Sequence, residues 1–75
     1  MTKSLTYFSK GAKGRICDIT GGRTAAKRLF EMGFNRGKEI EVVKNDMGPL
    51  VVDLNGSKVA IGRGMANKIH LYPLN

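Results

Sequence analysis

Leu50-Val51-Val52-Asp53-Leu54-Asn55-Gly56-Ser57-Lys58-Val59-Ala60-Ile61 is the stretch that decides the fold. Two runs of strand-forming residues flank Asn55-Gly56. A two-residue Asn-Gly loop is a strong hairpin signal, because a type I′ turn needs positive φ at both central positions. The turn sets the register: Leu54 faces Ser57, Asp53 faces Lys58, Val52 faces Val59 and Leu50 faces Ile61. Leu50, Val52, Val59 and Ile61 then share one side, the predicted core face. Asp53 and Lys58 meet on the other as an opposite-charge pair, worth about 0.2–1 kcal/mol. Gly48-Pro49 starts the hairpin sharply.

Outward from the hairpin, Lys38 to Lys44 alternates Ile40 and Val42 with Glu39, Glu41 and Val43, the pattern of a half-buried strand. Arg15 to Ile19 reads as another strand, but Ile16 and Ile19 have opposite parity, and a bulge would return both to the core. Lys68 to Tyr72 forms a last strand that ends at Pro73. Between the first two strands, Thr24 to Met32 has helical spacing, with Ala25, Leu29 and Met32 on one face and Gly33 as C-cap. A short helical turn is expected over Gly64 to Asn67. The fold class is mostly β: a small, partly open SH3-like barrel of about five strands, with one α-helix between the first two.

The chain has 75 residues, which we read as one domain over 1–75. A domain this small buries only about 60% of its unfolded surface, which argues against a self-contained catalytic pocket. Cys17 is the single cysteine, so no internal disulfide forms. Met1 to Lys10 carries no apolar run of signal-peptide type, and nothing approaches the ~18 apolar residues of a membrane span. The expected location is the cytosol. Thirteen Lys and Arg against six Asp and Glu give a net charge of +7, so anionic partners are expected: nucleic acid, an inner membrane leaflet or an acidic protein surface.

The landmarks also form an ordered series: Leu5-x-x-Phe8-x-x-Gly11-x-x-Gly14-x-Ile16-x-x-Ile19; Gly21-Gly22; Lys27-Arg28-Leu29-Phe30-Glu31-Met32-Gly33-Phe34; Gly37-x-x-Ile40-x-Val42; Gly48-Pro49-Leu50-Val51-Val52; and Asn55-Gly56-Ser57-x-Val59-Ala60-Ile61-Gly62-Arg63, with Ile69 after it. From Leu5 to Leu71 this resembles the bacterial ferrous-iron transport protein A family, FeoA. The resemblance implies a small cytosolic SH3-like domain acting with the membrane ferrous-iron permease FeoB, which carries a cytosolic GTP-binding domain. It supplies no catalytic residues. A similar domain ends some metal-dependent repressors. DNA-binding helices would precede it there, and a free-standing role is expected here.

The candidate contact residues are Arg23, Lys27 and Arg28 on the basic side of the helix, with Met47 and Arg63. They belong to a wider basic set with Lys10, Lys13, Arg15, Arg36 and Lys38, read as a docking surface for an acidic cytosolic domain beside an anionic membrane. No metal site or cofactor is expected. Cys17, Asp18 and His70 lack the clustered spacing metal sites use, Cys17 reads as a small buried hydrophobe, and His70 falls on the outer face. Gly21-Gly22-Arg23 opens the helix without a nucleotide-loop spacing. No residue sits in a nucleophile motif, so the chain is read as a binding protein and not an enzyme. Arg23, Arg28 and Arg63 are the arginines that would serve as a finger in a partner GTPase, and nothing selects one.

The rival reading is an RNA-binding SH3-like module, carried by the basic segment Lys10 to Ile16. Against it, RNA readers stack bases on exposed aromatics, and Phe30 and Phe34 are expected to pack the helix. A third reading is self-association through Met47 and an outward Val51.

Overall fold

The computed structural model describes residues 1–74. Its hairpin joins β4 (Leu50–Leu54) to β5 (Ser57–Ile61), in the register that the turn sets. Asn55 and Gly56 adopt φ of 55° and 86°. Leu50, Val52 and Ile61 are buried and Val59 packs against the core. Asp53 and Lys58 are register partners, yet they form no ion pair. The Asp53 carboxylate instead accepts the Gly56 N–H at 2.8 Å and ties down the turn.

Among the described residues, six antiparallel strands make one open sheet in the order β1-β6-β2-β3-β4-β5. The four not yet described are β1 (Lys3–Ser4), β2 (Lys13–Ile19), β3 (Glu39–Lys44) and β6 (Ile69–Leu74). The count exceeds the expected five because β1 is two residues long, too short to show a period. It pairs with Leu71 and His70 of β6 and runs into a 3-10 turn over Leu5–Tyr7. That turn delivers Leu5 and Phe8 to the core, both buried. Gly14 makes room for Phe8: a Cβ there would lie 3.0 Å from both the Phe8 ring and Leu71 Cβ. β6 continues through Pro73 instead of ending there. Beyond Leu71 it has a neighbour on one side only, where strand prolines are tolerated.

The bulge expected in β2 is present as a register shift between Ile16 and Asp18 against β6. Ile16 is buried and Ile19 packs against the core, as the parity break requires. Cys17, at the bulge, is half-buried and does not join the core. Up to this point β2 also runs beside β3, ending with Ile16 N–H to Lys38 O and Gly37 N–H to Ile16 O, both at 2.8 Å. Past the bulge it pairs with β6 alone. The two strands therefore part, and helix α1 (Gly22–Glu31) bridges them.

Helix α1 ends in a Schellman motif. Gly33 takes φ of 99° and donates to Phe30 O, while Phe34 N–H reaches back to Leu29 O, each at 2.9 Å. Leu29 and Phe34 pack in the same core, as this motif favours. Ala25 and Leu29 face inward as expected, but Met32 does not. It is the C-cap, beyond the last helical residue, and is 41% exposed. Phe30 also departs from its expected packing. Each helical residue turns about 100°, which carries Phe30 away from the Ala25–Leu29 stripe, and it is 66% exposed. The short turn α2 (Arg63–Ala66) precedes β6.

Candidate functional site

The parting of β2 and β3 leaves a groove of about 630 Å³ beside α1. Asp18 and Ile19 of β2 line one wall. Arg23, Ala26, Lys27 and Phe30 of α1 line the other, and Phe34, Asn35 and Arg36 close the end. The local sequence explains the helix wall. Arg23, Lys27 and Phe30 stand at i, i+4 and i+7, so they form one stripe, with Ala26 beside it. This stripe lies away from the buried Ala25–Leu29 face. The groove is mainly apolar, lined by Ile19, Ala26 and Phe30, with the wholly buried Phe34 behind them.

The electrostatics of the walls differ. On the far wall, Arg36 holds Asp18 at 3.1 Å, and the same carboxylate oxygen accepts the Ile19 N–H at 2.9 Å. Both charges are solvated, so the pair is worth about 0–1 kcal/mol. On the helix wall, Arg23 and Lys27 have no ion-pair partner among the described residues. Elsewhere in the basic set, Arg15 is paired with Glu39 at 2.8 Å. Asn35 Oδ1 is buried without a hydrogen-bond partner among the described residues.

The five candidate contact residues do not form one surface. Arg23 and Lys27 come together on the groove. Arg28 lies one residue past Lys27, about 100° further around the helix, and lines none of it. Met47 and Arg63 belong to a separate region. Met47 is 90% exposed in the β3–β4 loop. Arg63 is held there: its guanidinium donates to Asn45 Oδ1 at 2.8 Å and to Asp46 O. The Asn45 amide in turn donates to Thr6 O and Phe8 O, at 3.1 and 2.7 Å. Arg63 therefore braces a loop.

Of the two groove phenylalanines expected to pack the helix, Phe34 is buried and Phe30 is not. Its position one residue beyond Leu29 was the available signal. Its exposure also removes one argument against RNA binding, since an aromatic ring does stand in solvent beside two cations. Among the described residues, no three of His, Cys, Asp and Glu come together as a metal cluster. His70 is half-buried, with Nε2 3.2 Å from Thr20 Oγ1. No described helix is long and apolar enough to cross a membrane.

Comparison with known proteins adds to this geometry. The FeoA domain model matches residues 3–73. A candidate Fe(2+) transport protein A of Methanocaldococcus jannaschii is 38% identical over 65 residues, spanning 87% of this chain and 79% of that protein. The crystal structure of an iron uptake regulatory protein (FeoA) superposes with a TM-score of 0.91 at 34% identity, covering 99% of both chains. A manganese-dependent transcriptional repressor superposes with a TM-score of 0.89 over 97% of this chain and 41% of its own. At 17% identity, that likeness concerns the fold alone.

Proposed function

This chain belongs to the FeoA domain family, and from that premise we propose that it is a cytosolic accessory of ferrous-iron uptake that acts by docking on the FeoB permease, through the groove beside α1. It works as a binding module and modulates its partner without chemistry of its own. The observation that carries the docking site is the stripe Arg23-Lys27-Phe30: two cations without ion-pair partners and one solvent-facing ring along one wall of an apolar groove. A buried apolar contact ringed by charge is the usual anatomy of a docking site, with the ring contributing affinity and the charge contributing rate. The net charge of +7 favours a partner whose cytosolic face is acidic or adjoins anionic lipid.

The test is direct binding of the purified chain to detergent-solubilised FeoB from the same organism, with the permease's isolated GTP-binding domain in parallel, at near-physiological salt. Saturable binding is expected, weakened about tenfold or more by the double reversal Arg23→Glu/Lys27→Glu and little changed by Arg28→Glu. Absence of binding to either form, with nucleotide present or absent, contradicts the proposal. The exposed Phe30 beside two cations is also the observation that favours the RNA-binding reading. Generic single-stranded RNA belongs in the same assay, where binding with a steep salt dependence would transfer the function to nucleic acid.

A further inference from the structure

We infer that the occupant of the α1 groove is a short acidic peptide segment of the partner, with an apolar side chain as anchor and carboxylates next to it. This rests on the reading of the groove as the docking site and specifies what it selects. The apolar part follows from the lining. Ile19, Ala26 and Phe30 present hydrocarbon above the buried Phe34 ring, and a side chain seated there covers the largest exposed apolar group of α1. The acidic part follows from the distribution of charge. Arg36 is already paired with Asp18, whereas Arg23 and Lys27, one helical turn apart, have no ion-pair partner among the described residues. Carboxylates next to the anchor, toward the start of α1, would meet both, and a basic peptide would set like charges against them.

A peptide suits this site better than RNA. The groove offers one exposed ring, Phe30, whereas single-strand readers stack successive bases on several. A side chain of Leu or Phe size fills the apolar slot lined by Ile19, Ala26 and Phe30.

The experiment titrates the full chain, 15N-labelled, with three probes: a capped peptide with a Leu-Phe pair between two Asp-Glu pairs, the same peptide with Lys-Arg in place of Asp-Glu, and single-stranded oligouridine. The acidic peptide is expected to shift the amide resonances of Ile19, Ala26, Lys27 and Phe30. Its affinity should fall about tenfold in R23E/K27E and about tenfold in F30A, both exposed substitutions that leave the fold intact. Equal binding of the acidic and basic peptides, shifts confined to another surface, or oligouridine binding more tightly at the groove would each overturn the inference. Competition separates it from the proposed function. If FeoB binds and an excess of acidic peptide leaves that binding unchanged, the inference fails while the accessory role stands. If the peptide binds in the groove and FeoB does not bind at all, the accessory role fails while the groove's selectivity stands.

Discussion

Two regions of this molecule set an exposed apolar side chain near arginine, and they are built differently. In the α1 groove, Phe30 stands beside Arg23 and Lys27, cations without ion-pair partners among the described residues. In the β3–β4 loop, Met47 stands near Arg63, whose guanidinium is held by Asn45 and Asp46. A guanidinium engaged with its own backbone is a strut, and one whose donors face solvent can exchange water for a partner's acceptor. Sequence alone placed both arginines in the same class. The hydrogen-bond inventory separates them: substitution in the loop should be read out as stability, and substitution in the groove as binding.

That separation is tested by variants with very different expected effects. The largest contrasts the two phenylalanines of the groove. Phe34→Ala removes a wholly buried ring and should cost about 3–5 kcal/mol in urea unfolding. Phe30→Ala should change stability by no more than about 0.5 kcal/mol while weakening docking. Equal stability losses would mean that Phe30 is core. Next in size is the loop. Asn45→Ala withdraws the amide that holds Thr6 O and Phe8 O and the acceptor of Arg63. Its expected cost is about 1–3 kcal/mol. Gly33→Ala should cost about 1 kcal/mol or more, since φ is +99° and the new Cβ would lie 3.0 Å from Leu54. Arg63→Ala should cost about 1 kcal/mol, seen as a Tm lower by about 4–8 °C, with docking unaltered. The smallest effect is Arg36→Ala, which breaks a solvated pair and should shift stability by about 0.5 kcal/mol or less.

The fold was legible in the sequence where the backbone itself carries the instruction. Asn55-Gly56 dictates a turn by its φ requirement, and the register of β4 and β5 follows from it. The parity break between Ile16 and Ile19 announces a bulge, and Gly33 announces the end of α1. What escaped depends on partners distant in the chain. β1 has two residues and exists through its pairing with β6. Pro73 stays within a strand because its neighbour on one side is absent. Arg63 was legible as a cation and illegible as a strut, since the atoms that hold it lie on the β3–β4 loop, 17 and 18 positions away. The groove itself arises where β2 leaves β3, a tertiary event. The stripe Arg23-Lys27-Phe30 was present at helical spacing all along, but only the position of the parted strands shows which face of α1 remains open.

The central claim is that this chain acts through the open wall of α1 and not through the braced loop. The most direct measurement is the affinity of FeoB for two variants side by side, Arg23→Glu/Lys27→Glu and Met47→Ala/Arg63→Ala, each checked for folding. The account predicts a loss of about tenfold or more for the first and less than about twofold for the second. Undiminished binding by the groove variant, with loss in the loop variant, would contradict it.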